Sequence, residues 1–131
     1  MVDQLKTILQ INKRLPIEFC KNIVVYDSSR GISRLIKNKI EGEFNVTIIN
    51  SKGGLKNHKF TNSYIVFYIV NDAIDALPFP NVYFNAELVF LGITTKNLEQ
   101  HFISYTDVIR LDLQVPKKEL IDSIQYHLQT K

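Results

Sequence analysis

At 131 residues the chain has room for one domain with its own hydrophobic core and too little for two ordinary ones. Hydrophobic residues make up 45% and charged residues 22%, which excludes bulk disorder, a collagenous fibre and a coiled coil. The net charge of +3 hides an asymmetry: residues 1–65 carry 11 Lys/Arg against 5 Asp/Glu, and residues 66–131 carry 5 against 8.

In chain order, Val2, Leu5, Ile8 and Leu9 share one helical stripe, which predicts a short amphipathic helix to about Asn12. Pro16 stops it, and residues 16–21 read as an extended linker containing the single cysteine, Cys20. One cysteine excludes both an internal disulfide and a multi-cysteine zinc site. Ile23-Val-Val-Tyr26 is a β-branched apolar run that predicts a strand buried on both faces. Asp27-Ser-Ser29 supplies helix-capping chemistry, and Ile32, Leu35, Ile36 and Ile40 recur at helical spacing up to Gly42.

Phe44 to Ile49 predicts a second strand, and the polar stretch Asn50 to Asn62, with Gly53-Gly54, shows little helical periodicity. Tyr64 to Val70 is the most strand-like segment and is expected at the centre of the sheet. Pro78 and Pro80 limit any following helix to Asp72–Leu77. Leu88 to Leu91 predicts a fourth strand ended by Gly92, Thr95 to Ile103 a short helix, and Thr106 to Leu113 a fifth strand. Pro116 opens a last helix with Leu120, Ile121, Ile124 and Leu128 on its buried stripe.

Strands apolar on both faces, separated by helices or loops, predict an α/β fold. It is a five-stranded parallel sheet of order 2-1-3-4-5 in a flavodoxin-like three-layer sandwich, with an extra N-terminal helix. Residues 1–21 are expected to be helix and linker, and residues 22–131 the sheet domain. The longest apolar run is far below the ~20 residues that span a bilayer, and no cleavable leader is read, so a cytoplasmic protein without membrane contact is expected.

Ile23-Val-Val-Tyr-Asp-Ser-Ser-Arg30 with Ile32, Leu35 and Ile36 resembles the first strand and helix of the receiver domain of two-component response regulators. Val108 to Leu120 resembles that domain's fifth strand, loop and last helix, and the similarity extends over roughly Asn22 to Gln129. The resemblance implies two acids after strand one and a phosphorylatable Asp after strand three, holding Mg²⁺ through oxygen ligands. Asp27 matches the first acid, and Ser28 stands in place of the second. The phosphoacceptor position falls on Tyr68, or in a later register on Asn71 or Asp72, of which Asp72 alone keeps a carboxylate. The switch hydroxyl position falls on Gly92, or on Thr94 after a slip of two, and Val115 replaces the lysine before Pro116.

These replacements imply a pseudo-receiver: a non-catalytic module of a phosphorelay, without metal or cofactor, acting on a protein partner. The family's output and dimer face maps onto residues 96–102, 106–110 and 117–127, so a homodimer is one expected form. Asp27 before Ser-Ser reads first as a helix cap, and Tyr68 inside an apolar strand reads first as a core residue with its hydroxyl at a polar edge. A divergent receiver phosphorylated on Asp72 is the alternative. A third reading is polyanion binding, nucleic acid included, by Arg30, Arg34, Lys37, Lys52, Lys56 and Lys59, though no aromatic residues are interleaved there to stack bases. Residues 51–59 lack the spacing of a nucleotide P-loop, and His58, His101 and His127 have no partner pattern.

Overall fold

The computed structural model describes residues 22–29, 31–40, 42–58 and 64–129. The expected N-terminal helix and linker, Cys20, Arg30 and Lys59 lie outside the described residues. Five parallel strands, β1 (Asn22–Asp27), β2 (Asn45–Ile49), β3 (Tyr64–Val70), β4 (Leu88–Ile93) and β5 (Ile109–Leu111), form one sheet in the order β2-β1-β3-β4-β5. The predicted topology is the observed one, with β3 at its centre.

Alternation along the strands builds two cores. Ile23, Val25, Ile65, Phe67 and Ile69 point into one, against Ile36 and Ile40 of helix α1 (Gly31–Ile40) and Ile121 and Ile124 of the C-terminal helix. Val24, Tyr26, Val66, Tyr68 and Val70 point into the other. There they meet Leu55 of α2 (Lys52–Asn57), Phe79 and Val82 of α3 (Phe79–Asn85), and Leu98 and Phe102 of a 3₁₀ segment, Lys96–Phe102. The C-terminal helix, α4, is Lys117–Gln129. Phe67 and Phe90 face each other across β3 and β4 and stack with ring centroids 4.4 Å apart. Phe79 is the hub of the second core, with Tyr68, Phe102 and Tyr105 edge-on to it at 4.9–5.0 Å.

Four expectations change. The polar stretch after β2 holds α2, started by the Ser51 hydroxyl, which accepts from the Gly54 N–H at 3.0 Å, and anchored by buried Leu55. The prolines do not prevent a helix. Pro80 lies in the first turn of α3, where its missing N–H has no intrahelical partner to lose, and only a 3₁₀ turn, Ala73–Ala76, occupies the place of the predicted helix. Gly92 does not end β4, which continues to Ile93. β5 is three residues long rather than eight, because only residues 109–111 find partners on β4.

A side chain at Gly92 would crowd its neighbours: a Cβ there meets Ile69 Cδ1 and both Leu113 δ-carbons at 3.1 Å. Ile69 is fully buried in the packed core and has little room to give way, so Gly92→Ala should destabilise by about 1 kcal/mol through overpacking, measured as a shift in urea midpoint at unchanged slope. No helix among the described residues is long and apolar enough to cross a membrane.

Candidate functional site

In an open parallel sheet the crevice beyond the carboxyl ends of the strands, where the chain order reverses, is the place for a ligand. Here that place lies between β1 and β3. Strand register aligns Asp27, Ile69, Gly92 and Leu111 in one row across the sheet at this edge. Asp27 is the last residue of β1 and is fully buried.

The Asp27 carboxylate is crowded with donors. Oδ1 accepts from the Ser29 N–H at 3.0 Å, the Ser29 hydroxyl at 2.8 Å and the Asn71 side-chain amide at 3.0 Å. Oδ2 accepts from the backbone N–H groups of Ile32 at 2.8 Å and Ser33 at 3.0 Å. Two carboxylate oxygens offer about four lone-pair directions, and five donors occupy them. Two of the donors belong to the first turn of α1, so the acid caps that helix and sits favourably at its positive end. Burial alone would raise the Asp27 carboxyl, but the hydrogen bonds from Ser29, Asn71 and Ser33 outweigh it and hold the group below the ordinary aspartate value.

Ser28 is exposed and accepts from the Asn71 amide at 3.3 Å. Opposite Asp27 stands Ile69, fully buried in the first core. Val115 packs half-buried against the same core, and Leu113 and Ile69 fill the space beside Gly92. Tyr68 does not join this row. It pairs with Tyr26, faces the opposite core and donates its hydroxyl to the Asp75 carbonyl oxygen at 2.6 Å.

Asp72 is exposed and caps the 3₁₀ turn, its Oδ1 accepting from the Asp75 N–H at 3.1 Å. Thr94 donates both its N–H and its hydroxyl to the Val70 carbonyl oxygen, tying the ends of β3 and β4 together.

Below this edge lies a polar centre that the sequence reading missed. Asp75 is fully buried; Oδ1 accepts from the Tyr26 hydroxyl at 2.8 Å, and Oδ2 from the N–H groups of Asn71 at 2.8 Å and Asp72 at 3.2 Å. Burial and the neighbouring Asp75 push the Tyr26 hydroxyl well above the ordinary tyrosine value. Tyr68 is raised by burial first and then by Tyr26 and Asp75. The spacing Asp72-x-x-Asp75 is a capping-box pattern and was the available signal.

The four described residues of the basic set do not converge on one face. Arg34 and Lys37 ride on α1, against the first core, whereas Lys52 and Lys56 ride on α2, against the second, with the sheet between them. Among the described residues no group of three or more His, Cys, Asp and Glu side chains is arranged to hold a metal ion.

No protein-family model and no curated protein matches the chain. Solved structures do. A response regulator from Colwellia psychrerythraea aligns over 86% of this chain and 99% of its own, with a TM-score of 0.60 at 11% identity. A CheY-like receiver domain protein from Methanospirillum hungatei aligns over 82% and 93%, with a TM-score of 0.57 at 16% identity. A de novo designed Rossmann 2x3 fold protein aligns over 83% and 90%, with a TM-score of 0.56 at 18% identity. The chain thus has the fold of receiver domains. A designed protein shares that fold, so activity has to be argued from the site.

Proposed function

We propose that this chain is a receiver-like signalling module without phosphotransfer, which acts through protein–protein contact. The observation that carries the reading is the state of Asp27. A divalent cation at a receiver-type edge needs open carboxylate oxygens, and here both oxygens are saturated by the chain's own N–H, hydroxyl and amide groups. At the end of β3 the side chain that meets Asp27 is that of Asn71, an amide where a phosphoryl acceptor needs a carboxylate. Val115 offers no cation to neutralise a transferred phosphoryl group. What is left is a stable scaffold whose surface is free to serve recognition.

Of the two carboxylates just after β3, Asp75 is buried and Asp72 is exposed, with its side chain already engaged in the 3₁₀ cap. Incubation with Mg²⁺ and either acetyl phosphate or beryllofluoride, followed by intact mass and ¹⁹F NMR, is the direct test. The expected result is unmodified protein and free fluoride species only. A stoichiometric adduct on Asp72 would overturn the proposal in favour of a divergent, phosphorylatable receiver.

A further inference from the structure

A groove of about 520 Å³ runs between α2 and α3 on the second-core side of the sheet. The apolar lining comes from Leu55 and Val82, both buried, with Pro78 and Leu77 beside them. Leu77 is 77% exposed, an unusual position for a leucine that lines a concavity rather than standing alone on a convex surface. Lys52 and Lys56 are both exposed, line the same groove and stand four residues apart on α2, hence on one side of that helix. Among the described residues that line it there is no carboxylate.

We propose that this groove binds an acidic amphipathic segment of a partner protein: a leucine or phenylalanine enters between Leu77 and Val82, and carboxylates one helical turn apart meet Lys52 and Lys56. The charge pattern selects the occupant. Two lysines at i and i+4 match acids at the same spacing on an incoming helix, and the apolar lining requires a hydrophobic anchor that a nucleic acid strand does not supply. A helix laid in a groove by its apolar side chains, with charges fixing its register, uses both features at once.

The inference deepens the interaction role proposed above and rests on it, yet the two readings fail separately. A beryllofluoride adduct with peptide binding intact would overturn the loss of phosphotransfer alone. A clean beryllofluoride result without peptide binding would overturn the groove alone.

The test uses the full chain and fluorescence anisotropy with three labelled probes. They are the peptide Glu-Glu-Leu-Phe-Glu-Glu-Leu-Leu-Glu-Glu, the same peptide with Lys for every Glu, and a single-stranded oligothymidylate. The acidic peptide is expected to bind saturably, and the lysine peptide at least about tenfold more weakly. Lys52→Glu with Lys56→Glu should weaken the acidic peptide at least about tenfold, and Leu77→Ser at least about fivefold. All three substituted side chains are exposed, and an unchanged circular dichroism spectrum confirms that the variants fold. Equal binding of both peptides, no loss in the charge-reversed variant, or no saturation at millimolar peptide overturns the proposal. So does oligothymidylate binding that is lost in that variant while the acidic peptide fails to bind.

Discussion

Asp75→Ala should lower the unfolding free energy by about 3–5 kcal/mol, the largest loss expected from a single substitution of a polar side chain among the described residues. The side chain is fully buried and satisfies three donors, the Tyr26 hydroxyl and the N–H groups of Asn71 and Asp72. Truncation leaves all three without their acceptor; an unsatisfied buried group such as the Tyr26 hydroxyl costs about 1–3 kcal/mol, and the two part-buried N–H groups add less each. Asp75→Asn keeps one side-chain oxygen but presents its NH₂ to a donor, so it should recover only part of the loss. Tyr68→Phe removes a single bond to the Asp75 carbonyl oxygen and should cost about 1–2 kcal/mol. Urea unfolding followed by circular dichroism measures all three.

The same cluster gives a pH signature. Tyr26 and Tyr68 are held above the ordinary tyrosine value, so the folded state keeps protons that the unfolded chain releases near pH ~10. Their contribution is complete below that pH and is lost as the pH rises beyond it. The double substitution to phenylalanine should flatten the alkaline limb of the stability curve. A limb as steep as in the unsubstituted chain would show that the two hydroxyls are not its source.

The contrast between Asp27 and Asp75 shows what a linear sequence reveals here. β1, α1, β3 and the last helix are legible because each buries a continuous run or a clean stripe, and burial pattern is what fixes such elements. Asp27 is legible because its role is local: four of its five donors come from residues 29–33. Asp75 is hidden because its partner Tyr26 is 49 residues away and meets it only after β1 and β3 pair.

Tyr68 illustrates a different limit. Counting along seven consecutive apolar residues leaves the acceptor position open between Tyr68 and the later Asn71 or Asp72, and an odd shift along a strand reverses the face. Pairing puts Tyr68 beside Tyr26 in the other core, and of the three residues it is Asn71 whose side chain reaches Asp27. α3 was concealed by its prolines, whose cost vanishes in the first turn, and the six-residue α2 by its two glycines, which Ser51 and Leu55 offset.

Asp27→Ala should cost about 2–4 kcal/mol, because it removes the acceptor for the Ile32 and Ser33 N–H groups and for the Asn71 amide. The sign of its pH dependence follows from a folded-state value below the ordinary one. The stabilisation is complete above the unfolded aspartate value near ~4 and is lost as the pH falls through the lower folded value. Stability of the unsubstituted chain should therefore decline over this acidic window, and the Asp27→Ala variant should lack that part of the decline. Adding Mg²⁺ separates the two roles an acid can have at this sheet edge. A ligand that binds only the folded state raises its stability by mass action, by about 2.7 kcal/mol at a hundredfold excess over its dissociation constant. With both Asp27 oxygens already engaged, millimolar Mg²⁺ should leave the thermal midpoint of the unsubstituted chain unchanged. A rise of several degrees that disappears in Asp27→Ala would mean that the cation displaces the cap, and that the edge between β1 and β3 still serves as a metal site.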